Sequence, residues 1–107
     1  MDYIAKQLQP LAVGVESLTL DPRNARLHGR KNMDTVKSSL TRFGQRLPIV
    51  VQKEGMVVRV GNARLTAARE MGWTHIAAVI VDENDVEATA FALVDNRSSE
   101  LGEWDMQ

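Results

Sequence analysis

The chain predicts an α+β domain: a small mixed β-sheet packed with about three helices. Three observations carry this. Two runs rich in β-branched residues, Ile49-Val50-Val51-Gln52 and Met56-Val57-Val58-Arg59-Val60, flank Lys53-Glu54-Gly55 as the arms of a hairpin would. Segments with helical spacing of apolar residues alternate with such runs. A chain of 107 residues, 44% hydrophobic and 25% charged, suits one small core.

Residues 1–11 show no pattern and read as a loosely held N-terminal arm, with 12–107 as a single domain. Ala12-Val13-Gly14-Val15 makes a short strand at a sheet edge. Ser17 to Pro22 leads into a turn, because Asp-Pro favours turn initiation. Arg23 to Lys31 is a basic loop with few apolar anchors, which fits a phosphate-contacting arm or a solvated connection. Asn32 caps a helix over Met33–Phe43, on which Met33, Val36, Leu40 and Phe43 share a face. Gly44 stops it, and Gly44-Gln45-Arg46-Leu47-Pro48 turns into the hairpin. A second helix opens at Gly61-Asn62 and stops at Gly72, with Leu65, Ala68 and Met71 as its buried stripe. Ala67 and Ala68 let it pack closely on a sheet. His75–Val81 is a continuous apolar run, as in a strand buried on both faces. Asp82 caps a last helix whose positive end carries Glu83, Asp85 and Glu87. Val86, Ala90, Leu93 and Val94 form its apolar stripe, and Leu101 and Trp104 fold back as a final contact. The order is β, α, β-hairpin, α, β, α. The chain stops at Gln107, soon after Trp104, and is expected to be a fragment of a longer protein.

Several function classes are excluded. Without cysteine there is no disulfide, thiol catalysis or cysteine-based zinc site. His28 and His75 form no metal-ligand pair by spacing. No apolar run approaches membrane-helix length and no secretory leader is visible, so a cytoplasmic location is the default. The net charge is −1, but it is segregated. From Arg23 to Arg69 there are eleven Lys or Arg against two acids, and from Glu70 to Gln107 nine acids against one base. A basic middle suits a polyanion such as a nucleotide or nucleic acid. It would equally arise if the two halves faced and cancelled each other.

The stretch with the most chemical content is Gly61-Asn62-Ala63-Arg64. A glycine permits a sharp turn and a close backbone approach, and Asn62 is a good N-cap. The first turn of a helix offers N–H groups and a positive dipole end to an anion, and Arg64 adds a guanidinium fork suited to phosphate. The same residues also fit an ordinary strand-to-helix turn with a surface arginine.

Four markers in order carry a family resemblance: Asp21-Pro22-Arg23-Asn24-Ala25-Arg26, Gly44-Gln45-Arg46-Leu47-Pro48-Ile49-Val50-Val51, Val60-Gly61-Asn62-Ala63-Arg64-Leu65-Thr66-Ala67-Ala68, and Ala92-Leu93-Val94-Asp95-Asn96-Arg97. Together they resemble the ParB N-terminal domain, also called the ParB/sulfiredoxin-like or ParB-like nuclease domain, over roughly Val15 to Trp104. The flavour is that of phage or prophage genes, in which the domain is often joined to a DNA methyltransferase or another DNA-processing module. The resemblance implies a nucleotide- or nucleic-acid-binding module with phosphates at Gly61, Asn62 and Arg64. It implies a contact from Gln45 on the neighbouring loop, and basic support from Arg23, Arg26 and Arg46. By the same likeness Asp95 and Asn96 would orient phosphate or Mg2+ accompanying a nucleoside triphosphate. Ala63 stands where the family carries a further arginine, and Arg97-Ser98-Ser99 departs from the later motif. In sulfiredoxin-like members the position of Asn62 is a catalytic cysteine, so reductase chemistry is excluded here. Two alternatives remain: a metal-dependent nuclease or NTPase in the same pocket, and a degenerate structural module that places a fused partner.

Overall fold

The computed structural model of the chain describes residues 2–25 and 30–95. Five strands form one mixed sheet: β1 (Ala12–Gly14), β2 (Thr19–Leu20), β3 (Ile49–Gln52), β4 (Val57–Val60) and β5 (His75–Val81). Their spatial order is β1-β5-β3-β4-β2. The hairpin β3–β4 is antiparallel, as its turn residues predict, and β1 runs antiparallel to β5. Parallel pairing joins β3 to β5 and β2 to β4. The helices are α1 (Pro22–Ala25), α2 (Arg30–Phe43), α3 (Asn62–Glu70) and α4, which covers 86–95.

The alternation of strand side chains builds the two faces of the sheet. Ile49 and Val51 of β3, Val58 of β4, and Ile76 and Ala78 of β5 share a core with Leu40 of α2 and with Leu65, Ala67 and Ala68 of α3. The two alanines of α3 are fully buried, which is what close packing of a helix on a sheet requires. The opposite face of β5 presents Ala77, which packs with Ile4 and Leu8. A Schellman motif ends α3: Gly72 N–H bonds to the Arg69 carbonyl and Trp73 N–H to the Ala68 carbonyl, with Gly72 at φ 82°.

Several local expectations are corrected. The N-terminal segment is a docked element, with a 3-10 helix at Lys6–Leu11. Ile4 bridges Gln45 as a short parallel pair, and the Tyr3 ring stacks on Trp73 at 4.1 Å. Apolar Ile4 and Leu8 explain why it packs. The predicted basic loop contains α1 and the first residues of α2, which begins at Arg30, so Asn32 lies inside the helix rather than at its cap. Phe43 is 56% exposed, with Arg42 over its ring at 5.1 Å. Ten residues at about 100° each leave it roughly 80° round the axis from Met33, off the buried stripe. In β5 only Ile76, Ala77 and Ala78 are buried, and Ile80 is 40% exposed. The reason is topological: β1 pairs only with His75 to Ala77, so the second half of β5 has a neighbour on one side alone. On α4 Val86 is buried, whereas Val94 is exposed. The expected contact from Leu101 and Trp104 lies outside the described residues.

Tyr3 is the single tyrosine of the chain. Partial burial acts to raise its phenol pKa, but hydrogen bonds from the Thr74 hydroxyl and the Thr74 and His75 N–H groups outweigh this and hold it below the ordinary value of 10.0. An acid depressed in the folded state adds stability only above its unfolded pKa, and that gain disappears as pH falls through the folded value. Spectrophotometric titration of the phenolate band is therefore expected to show a midpoint below that of the urea-unfolded chain. Equal midpoints would mean that the N-terminal segment is not docked as described.

Candidate phosphate-binding turn

The site is built where β4 meets α3. Gly61 is the N-cap of α3 and sits at φ 105°, a left-handed conformation that side chains resist. Space also demands glycine: a Cβ there would stand 2.3 Å from Ile49 Cγ2. The turn thus lies directly on β3. The first N–H groups of any helix lack partners within it, and here they belong to Asn62, Ala63 and Arg64.

Arg64 is half-buried, and its Nη1 donates to the Leu47 carbonyl at 2.7 Å. The same carbonyl accepts from Gln45 Nε2 at 3.1 Å. Leu47 therefore joins the α3 start to the Gly44–Pro48 turn, and the two stretches predicted to face one ligand are neighbours. Gln45 is buried. Its amide donates to Ala77 O at 2.9 Å and accepts from Ala77 N–H at 2.7 Å. Its backbone pairs with the Tyr3 carbonyl and the Ala5 N–H. Both amide hydrogens of Gln45 are thus engaged inside the protein, and Arg46 beside it is exposed.

Asn62 does not cap α3 with its side chain, since Gly61 takes the N-cap position. Its side chain is buried, accepts from Asp21 N–H at 2.9 Å and donates to Val58 O at 2.8 Å. Asp21 caps α1: Oδ1 accepts from Arg23 N–H at 3.0 Å, as expected of an aspartate before Pro at N1. Asp21 Oδ2 lies 3.5 Å from Arg59 Nε. The Arg23 side chain is exposed, 3.8 Å from the same carboxylate. Asp95 is exposed near the end of the described part of α4. Arg26 and Asn96 lie outside the described residues. The structure thus brings Gln45, Gly61, Asn62 and Arg64 together, sets Arg46 on the adjoining turn, and ties the Arg23-bearing α1 to Asn62. Among the described residues no group of three or more His, Asp or Glu side chains is placed to hold a metal.

Sequence reasoning did not find Asp21, Arg59 or Arg69 as organising residues. Arg69 reaches Val15 O at 2.7 Å and Leu18 O at 2.6 Å, so part of the basic middle ties the fold together. Asp21-Pro22 signalled a turn, and its capping geometry was the available clue. Nothing local in the sequence points Arg69 at distant carbonyls.

A family model for the ParB N-terminal domain matches residues 5–97. The chain belongs to the ParB N-terminal domain family. Solved structures agree in fold. A Pnob8-like ParB-N domain superposes with a TM-score of 0.58 at 18% identity, covering 73% of this chain and 31% of that one. Sulfiredoxin from Arabidopsis thaliana gives 0.57 at 21% identity, covering 68% and 86%. The C-terminally truncated chromosome-partitioning protein ParB from Caulobacter crescentus, complexed with CTP-gamma-S, gives 0.61 at 19% identity, covering 79% and 51%. This ParB-N chain therefore spans about a third of the Pnob8-like chain and about half of the Caulobacter one. No curated protein sequence matches it. The mixed five-stranded sheet is the expected α+β ParB/sulfiredoxin fold.

Replacing Gln45 by Ala strands the buried N–H of Ala77, whose carbonyl keeps its ladder partner in β3. At about 1–3 kcal/mol for an unmet buried group, Gln45→Ala should lower unfolding free energy by about 1–3 kcal/mol in a urea titration. A loss under about 0.5 kcal/mol would show that water or a neighbour replaces the amide.

Proposed function

We propose that the chain is a nucleotide-binding module of a partition-type or DNA-processing protein, holding the phosphates of a nucleoside triphosphate at the Gly61–Arg64 turn. One observation carries the reading: the left-handed glycine opens α3 against β3 while Arg64 bends to the Gly44–Pro48 turn. Backbone N–H groups, a helix dipole and a guanidinium therefore converge on one edge of the fold. Family membership supports the nucleotide, since a structure with this fold was solved with CTP-gamma-S. In this reading Arg46 and Arg23 add charge from either side, with Arg26 as a further cation. The turn holding Gln45 faces the ligand, and Asn96 assists. Magnesium would accompany the triphosphate, with Asp95 as its carboxylate. DNA contacts by this module would run through phosphates and weaken steeply with salt.

A thermal-shift series with CTP, ATP and GTP, each with and without magnesium, tests it. A nucleotide at ~100 times its Kd should stabilise the fold by about 2.7 kcal/mol, several degrees in Tm. Arg64→Ala should weaken that nucleotide at least tenfold, about 1.4 kcal/mol. No response to any nucleotide, or unchanged affinity in Arg64→Ala, would sink the proposal.

A further inference from the structure

Asn62 and Asp21 are buried polar residues where α1, β4 and α3 meet, each 4% exposed. The Asn62 amide connects two segments far apart in sequence. It accepts from Asp21 N–H, just before α1, and donates to Val58 O on β4. Asp21 passes the connection on, through its carboxylate to the Arg23 N–H and to Arg59, whose Nη1 donates to Gln52 Oε1 at 2.7 Å. The arginine-bearing start of α1 is therefore fixed to the sheet through the residue that opens α3. If the Asn62 side chain rotated outward to a ligand, it would leave Asp21 N–H and Val58 O without these bonds.

We infer that Asn62 is a positioning residue: its amide holds α1 in register with the α3 turn, so that Arg23 and Arg64 act on one chain of phosphates, and its side chain touches no ligand. This deepens the phosphate-site reading above and rests on it. The preferred ligand is then a polyphosphate contacted from both sides of Asn62, and the coupling between those sides runs through a side chain rather than through the ligand alone.

The test combines hydrogen exchange without ligand and a double-mutant cycle with CTP and magnesium as the probe. In the ligand-free chain, N62A should speed exchange at the Asp21 and Arg23 amides by about tenfold beyond any change at Val50 and Val51 in the sheet centre. In the cycle, R23A should weaken CTP severalfold in the natural background and by less than about twofold in the N62A background, because the arm is already released. A merely structural asparagine would speed exchange uniformly and leave the R23A effect unchanged, and either result overturns the inference. So does an R23A chain that binds CTP as well as the natural one. If N62A does not fold, N62D replaces it, keeping an acceptor for Asp21 N–H but losing the donor to Val58 O. It is expected to give part of both effects. A natural chain that binds none of CTP, ATP and GTP defeats the phosphate-site reading, and the exchange comparison still decides whether Asn62 holds α1.

Discussion

The left-handed backbone at Gly61, pressed against Ile49, is the constraint on which the rest of the site depends. β4 turns into α3 through this one residue at φ 105°, a conformation that glycine adopts without the penalty other residues incur. Here it must also leave room for the β3 side chain beneath it. Because β3 lies between β4 and β5, the turn is anchored over the best-paired part of the sheet. The position of α3, and with it Arg64 and Asn62, follows from that single junction. Leu65, Ala67 and Ala68 then fix the helix rotation by burying one side of it.

The arginines change the meaning of the charge pattern. Counted along the chain, residues 23 to 69 form a basic block. Seen in the fold, Arg69 binds the Val15 and Leu18 carbonyls, Arg59 faces Asp21, and Lys37 pairs with Glu70. These cations serve main-chain carbonyls and local acids. Arg23, Arg42 and Arg46 are exposed. Some of the positive charge is therefore cancelled inside the domain, and some faces solvent.

The elements were legible where periodicity and turn chemistry agree. The hairpin at Lys53-Glu54-Gly55, the strand after it, the glycine that opens α3 and the one that closes it all carry local signals, and each lies where those signals put it. The N-terminal segment was not legible, because its order comes from stacking on Trp73 and bridging to Gln45, contacts more than forty residues away. Phe43 and Ile80 misled for a related reason: an apolar side chain at the end of a periodic run is buried only if a neighbour covers that end. At the site, the grouping of Gln45, Gly61, Asn62 and Arg64 was legible through motif order. The direction of each side chain was not, since a residue type states its bonding capacity and not the partner it finds.

Gln45 and Asn62 carry this difference into function. Both are amides at positions where the family resemblance suggests ligand contact, and both engage their donors and acceptors within the protein. Buried amides satisfied in this way are rigid, because rotation would strand partners on two elements at once. They hold the Gly44–Pro48 turn, the α3 start and α1 at set separations before any ligand arrives. Binding at a site arranged in advance avoids the ordering cost that a flexible site incurs. Under the proposed function, the contacts themselves would fall to backbone N–H groups of α3 and to arginine side chains. That division, amides for position and cations for contact, would let the turn serve phosphate although Ala63 stands where the family resemblance implies another arginine.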